Sequence, residues 1–388
     1  MACSVSDKYG GWCKDYPTSS LAYNIEGKTL SYCIFHALAD GINKSVNGFN
    51  ENVFNEIHAC IHKGKSCNLS GSIFPGDIDF GRIEAAFPEI SFSDAIFHGK
   101  VTFHEKIFDQ NVTFRNAEFK DKVRFIDIKF NGKESSFNGT RFYKKIEFIS
   151  VDFNGESFFS DVTFEEEAYF LKVNFLSNVY FHELNIGKKI KFDLVNLEKA
   201  SFLDTDLRKL DMINCVWQRK NGRFVLFDEI LSLNKKAGSK KNLKKVESMY
   251  RMLKQKYKEE HNEFEVSNWH YGEKEMARKY NPWSRFNPLS LYNLYWLSSG
   301  YGERPLRASI FLIVLIILLT VVFGFVESIS FYKYSLLLFN TLQNATFDKT
   351  PEFSAKSLNG KYLTLAMKIF IPIQAALLAL AVRNKFRR

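Results

Sequence analysis

The chain has 388 residues, of which 46% are hydrophobic and 25% charged, with a formal net charge of +10 and 39 phenylalanines. That balance excludes a disordered or low-complexity chain, and six cysteines are too few for a secreted disulfide scaffold of this size. Residues 1–71 are charge-balanced and 72–210 slightly acidic; the basic excess lies in 211–307 (nineteen basic, eleven acidic) and 308–388 (nine basic, three acidic). Positive charge gathered around apolar segments points to a membrane and argues against nucleic acid as a partner.

Residues 1–71 read as an N-terminal capping region, with no secretory signal expected in MACSVSDKYGGWCKDY. Cys3, Cys13, Cys33 and His36 form C-x9-C-x19-C-x2-H. Three thiols and one imidazole are a donor set for a tetrahedral structural zinc site, and the Cys33-x-x-His36 pairing is its most suggestive part. Spacing alone also fits buried, reduced cysteines, and Cys60 and Cys67 are alternative ligands.

Residues 72–210 carry a repeat. Phenylalanine falls at Phe92, Phe97, Phe103, Phe108, Phe114, Phe119, Phe125, Phe130, Phe137, Phe142, Phe148, Phe153, Phe159, Phe164, Phe170, Phe175 and Phe181, and the series continues through Ile186, Phe192, Leu197, Phe202 and Leu207. Steps of five and six alternate, with one step of seven at Phe130–Phe137 and fives at the close. Two residues before most slots stands a small or branched residue, such as Ala95, Val101 or Val123; Lys106 is the main exception. Neither a helical period nor a long alternating strand fits. Two inward side chains followed by a corner, repeated, describe a coil of short strands in which each ring stacks on the ring of the next coil.

These residues resemble the pentapeptide-repeat family in its Phe-centred form. The resemblance implies a mainly β fold plus α: a right-handed quadrilateral β-helix of about 22 residues per coil, hence five to six coils over 72–210. The fold is a scaffold and implies no particular chemistry.

Residues 211–300 read as a basic linker and a helical hairpin, with Val246, Tyr250, Leu253 and Tyr257 on one face of the first helix and Trp269, Met276 and Tyr280 on the second. The preceding lysines, from Lys235 to Lys245, are candidates for lipid headgroup contact. Residues 301–388 read as a two-helix transmembrane, pore-like module. Residues 308–326 are nineteen residues without a charge, about 28 Å of helix and enough to cross a bilayer core. Residues 362–382 form the second span, despite Lys368, Pro372 and Gln374. Arg304, Arg307, Arg383, Lys385, Arg387 and Arg388 flank the two spans as cytoplasmic anchors, whereas the loop 327–361 is nearly balanced. Both termini are therefore expected in the cytoplasm of a cell with this protein in its inner membrane.

The order of segments over 245–388 resembles the membrane subgroup of pentapeptide-repeat proteins that end in a two-helix, ion-channel-like module. That resemblance implies a homo-oligomeric, channel-like protein with a cytosolic sensor or docking domain for a protein partner. The loop contains an apolar run ending in what reads as a polar turn, so the expected pore lining is Thr341, Gln343 and Asn344, with Lys368 and Gln374. No glycine occurs between Phe325 and Asn359, so a potassium filter of stacked carbonyls is not expected. The alternative is a membrane-tethered, non-conducting scaffold. No nucleotide-binding loop, zinc-protease motif or nucleophile elbow is present, and enzyme activity is not expected.

Overall fold

The structure, a computed structural model, describes residues 3–16, 22–25, 28–39, 44–234, 240–346 and 354–386. It comprises two compact units, Met1–Lys236 and Ala237–Arg388.

In the first unit the chain from Cys67 onward winds as short parallel strands. Cys67 pairs beside Ile90, Ile90 beside Val112, Val112 beside Ser135, Ser135 beside Ser157, Ser157 beside Val179 and Val179 beside Ala200. The register therefore advances by 21–23 residues per rung, as the repeat implied. The seven-stranded and six-stranded sheets form two faces, and a seven-strand path through the nine-stranded sheet forms a third. The fourth is built from Ile107–Phe108, the second halves of Val123–Phe130 and Ile146–Phe153, and Asn174–Phe175. The result is a quadrilateral β-helix of about seven rungs, against the five to six expected over 72–210, because the strand ladder starts at Cys67 and runs to Ile213. Phe74, Phe80 and Phe87, which are fully buried, begin the aromatic columns before Phe92.

All nineteen phenylalanines of the repeat, from Phe92 to Phe202, are buried at 3% exposure or less. Each ring stacks on its counterpart one rung away: Phe103 on Phe125 at 4.9 Å, Phe125 on Phe148 at 4.9 Å, Phe148 on Phe170 at 4.8 Å. Neighbouring columns meet edge to face, as Phe125 meets Phe137 at 5.9 Å. Both geometries suit the ring quadrupole. The alternation of five and six has a backbone cause. At every second corner the residue two beyond the phenylalanine is left-handed (Asp94, Glu105, Asn116, Asp127, Gly139, Ser150, Asp161). Each of these tight corners opens a five-residue side, and the other corners open the longer ones. Asn, Asp and Gly tolerate that conformation best. Lys106, the exception in the pattern, is buried and donates from Nζ to the Ile83 carbonyl at 2.6 Å.

Both ends of the coil are covered, as an open strand edge requires. At the start stands helix α1, Val46–Lys63, capped by Ser45 and by left-handed Gly64; it buries Phe49, Val53, Phe54, Ile57 and Cys60 along one face. Phe49 meets Phe74 at 5.1 Å, and the Ile73 amide donates to the Phe35 carbonyl at 2.8 Å. At the far end stands α2, Phe227–Asn234. Its Asp228 accepts from the Ser201 hydroxyl and from the Phe202 amide (3.0 Å), and its Glu229 pairs with buried Arg223 at 2.6 Å.

The second unit contains α3 (Lys240–Glu259) and α4 (Glu263–Tyr280), which pack as the expected hairpin. Val246, Tyr250, Leu253, Tyr257, Trp269 and Met276 are buried. Lys235 and Lys236 lie outside the described residues. Then follow α5 (Pro282–Phe286), α6 (Leu291–Ser299), α7 (Pro305–Val326), α8 (Tyr334–Ala345) and α9 (Leu358–Phe386). Phe323, Leu337, Ala345, Met367 and Ile371 form the core that joins α7, α8 and α9.

Candidate metal centre and membrane module

The residues that carry the N-terminal site come from three loops. The Ser4 amide donates to the Ser31 carbonyl at 2.7 Å and the Ser31 amide donates to the Ser4 hydroxyl oxygen at 2.9 Å, which brings Cys3 beside the strand leading to Cys33. The amides of His36 and Ala37 both donate to the Cys33 carbonyl, at 3.1 and 3.0 Å, so one helical turn sets Cys33 and His36 on the same side. The ligand atoms of Cys3, Cys13, Cys33 and His36 lie within 4.8 Å of one another, and all four residues are buried. His36 Nδ1 is 3.1 Å from Cys33 Sγ and 3.6 Å from Cys3 Sγ. A tetrahedral centre with metal–sulfur bonds of ~2.3 Å and a metal–nitrogen bond of ~2.0 Å has donor–donor edges of roughly 3.5–3.8 Å, so the cluster is already near the required size.

The surroundings fit that use. His36 Nε2 meets the Ser70 carbonyl at 3.1 Å, which fixes the tautomer and turns Nδ1 toward the thiols, the usual support for a metal-bound imidazole. The Tyr9 ring lies parallel to His36 at 5.2 Å, and Trp12 donates to the same Ser70 carbonyl at 3.2 Å. Gly71, left-handed at φ 73°, is where a side chain would collide with the Tyr9 ring. Burial pushes the Cys13 and Cys33 thiols up and holds His36 down, and burial brings the Lys44 ammonium down to about 7. Lys44 donates to the Ala37 carbonyl at 2.6 Å. The cluster can thus hold a metal ion, whose charge would replace the thiol protons. Cys60 and Cys67 lie outside it; Cys60 faces Glu56 at 3.8 Å.

In the second unit α7 and α9 are each long and apolar enough to cross a membrane. Only Ala308, Thr320, Phe323 and Gly324 of α7 are buried, while Ile310, Ile313, Val314, Ile317, Leu318 and Phe325 are exposed. An apolar helix with its large side chains outward differs from the core helix of a soluble protein. The flanking cations sit at one end: Arg304 lies over Tyr271 at 4.9 Å, Arg307 donates to the Trp296 carbonyl at 3.1 Å, and Asn384, next to Arg383 and Lys385, donates to the Gly302 carbonyl at 3.0 Å. Arg387 and Arg388 lie outside the described residues.

The residues expected to line a pore are placed otherwise than the turn reading required. Thr341, Gln343 and Asn344 stand on the last turns of helix α8, not in a turn. Thr341 is fully buried and its hydroxyl meets that of Thr320 on α7 at 2.9 Å. Asn344 is buried and donates to the Asn340 carbonyl at 3.0 Å. Gln343 and Lys368 are half-buried. Gln374 is buried near the other end, donating to the carbonyls of Ser298 and Ala308, each at 3.0 Å. The helix forms because YSLLLFNTLQNA has no glycine or proline to stop it before Ala345. Thr320 and Asn340 were not singled out from sequence. Their signal was a hydroxyl deep in an apolar span, and an asparagine pair four residues apart.

Comparison with known proteins bears on the coil. A family model described as pentapeptide repeats (9 copies) matches residues 137–184, about two rungs of the solenoid. A search of curated proteins finds no match for the chain. The coil is therefore of pentapeptide-repeat type, and the chain is a repeat protein with two helices suited to a membrane.

Proposed function

We propose that this protein is a multi-pass inner-membrane protein that presents its β-helix in the cytoplasm as a docking rod for a protein partner, with a structural zinc ion in the N-terminal cap. The observation that carries the reading is α7: nineteen consecutive uncharged residues whose large apolar side chains face outward. Arg304, Arg307, Arg383 and Lys385 at one end of the α7–α9 pair support that end as cytoplasmic. Three thiols and an imidazole support zinc over a harder cation. A His182–Ser201–Asp228 chain of contacts ends the solenoid, but the serine is fully buried and sits between the other two, so the aspartate does not orient the histidine.

Alkaline carbonate extraction tests the membrane reading: the protein stays in the membrane pellet, and protease added to inverted vesicles removes the β-helix. Release by carbonate, or protection of the β-helix in inverted vesicles, overturns it.

A homo-oligomeric, channel-like role is the second reading. It is favoured by the polar side chains held inside the apolar bundle, Thr320, Thr341, Asn340 and Asn344, the last with its Oδ1 buried and without a donor among the described residues. Polar groups at that depth are costly and mark pathways in many membrane proteins. In this conformation Thr341 and Asn344 are enclosed within one chain, so conduction would require the bundle to open. Subunit counting in detergent together with planar-bilayer recording decides: a monomer without conductance leaves the scaffold reading alone.

A further inference from the structure

Between the hairpin and the first span, the chain exposes large apolar side chains in a short stretch. Trp283 is 70% exposed, Phe286 79%, Leu289 73% and Leu291 84%. Leu294 and Leu297 continue the row at steps of three along α6. The stretch is nevertheless ordered and tightly capped. Asn281 caps α5 through the Trp283 amide, Ser290 caps α6 through the Asn293 amide, and Asn293 Nδ2 donates to the carbonyls of Ser284 and Asn287, at 2.6 and 2.9 Å. A built element that turns four large apolar residues outward has an occupant for that face.

The neighbouring contacts say what it is. Helix α6 packs on both α7 and α9. Gln374 of α9 bonds to Ser298 at the end of α6 and to Ala308 in the first turns of α7, and Asn384 bonds to Gly302. The ten residues from Gln374 to Asn384, about 15 Å of helix, therefore run beside the 298–308 segment. That stretch of α9 includes the uncharged run 375–382, which ends at Arg383. The end of α6 thus lies level with the first apolar turns of α7, not beyond the basic residues. Trp296, flanked by Arg278 at 4.6 Å and Arg307 at 5.2 Å, gives the segment the aromatic and cationic character of a headgroup boundary.

We infer that Pro282–Ser299 is an in-plane membrane anchor, with Trp283, Phe286, Leu289 and Leu291 seated at the headgroup–acyl boundary of the same leaflet in which α7 begins. This rests on the membrane reading of α7 and α9 and adds to it a monotopic element that sequence hydropathy does not detect, because nine residues of α6 are too few to span. Such an anchor sets the height and tilt at which the preceding hairpin is held against the lipid surface.

The full-length protein reconstituted in phosphatidylcholine–phosphatidylglycerol vesicles gives the test, by tryptophan quenching with lipids brominated at shallow or deep acyl positions. Trp283 is one of five tryptophans. The expected result is quenching that is stronger with shallow bromines and falls by about half or more in Trp283→Phe, since Trp269 is buried in protein and interfacial tryptophans dominate such signals. Unchanged bromolipid quenching in Trp283→Phe, with aqueous acrylamide quenching the wild-type protein more than the variant, overturns the inference while the protein remains carbonate-resistant. Loss of the protein from carbonate-washed vesicles overturns both the inference and the reading on which it rests.

Discussion

Phe148→Ala tests the physical basis of the coil. Phe148 is fully buried, with Phe125 and Phe170 stacked on its two faces at 4.9 and 4.8 Å and Phe137 and Phe159 edge-on at 5.7 and 6.0 Å. Truncating a buried Phe costs about 3–5 kcal/mol. The upper part of that range applies because hydrogen-bonded strands hold the rungs at fixed spacing and cannot close on the void. Phe202, in the last rung, has one coaxial neighbour, Phe181 at 5.4 Å, with Phe192 and Trp217 more distant at 6.3 and 6.4 Å. Phe202→Ala should therefore cost about 1–2 kcal/mol less, the worth of roughly one ring pair and its share of the cavity. Hydrogen exchange of the full-length protein in detergent micelles reads the difference. At about 1.4 kcal/mol per decade, Phe148→Ala lowers protection in the rungs of Phe125, Phe148 and Phe170 by roughly three to three and a half decades. Peptides from α3 and α4 should be unaffected, since a solenoid transmits stability mainly to nearest neighbours. Equal losses for the two variants, or a loss below about 1 kcal/mol at Phe148, would show that the strand ladder and not the aromatic columns carries the fold.

Three further outcomes follow from individual contacts. Cys33→Ser should reduce metal, measured by elemental analysis of the purified protein, from about one ion per chain to under a tenth of that, whereas Cys60→Ser leaves it unchanged; the reverse would move the centre to the second cysteine pair. Burial raises the Asp228 carboxyl to about 6 although Ser201 and the Phe202 amide donate to it. The folded state therefore keeps this proton after the unfolded chain has lost it, and stability of the C-terminal cap should fall as pH rises from about 4 through 6, by on the order of 2–3 kcal/mol. Asp228→Asn should flatten that dependence, and an equally steep profile in the variant would assign it elsewhere. Gln374→Leu frees the carbonyls of Ser298 and Ala308 and should lower stability in detergent by about 1–2 kcal/mol; a variant of unchanged stability would show that these bonds do not hold α9 against α6 and α7.

What was legible in the chain was whatever repeats or runs long. The phenylalanine columns, the two apolar helices and the face of α3 follow from periodicity, because every residue of a column or face meets the same environment and so the same residue type recurs. The cysteine–histidine set was visible as a donor list, with Cys33-x-x-His36 its most suggestive part. Its assembly was not visible: Cys3, Cys13 and Cys33 are brought together by the Ser4–Ser31 pairing and by the first rung, whose Ser70 carbonyl orients His36. Likewise, composition showed Thr341 and Asn344 to be polar groups in an apolar run, but only packing decided that they point into the chain's own bundle and that Thr320 meets Thr341. The reason is the same in each case. Local patterns encode which face of an element is apolar, whereas contacts between residues far apart in the chain depend on the path of everything between them, and a single polar pair leaves no period to read.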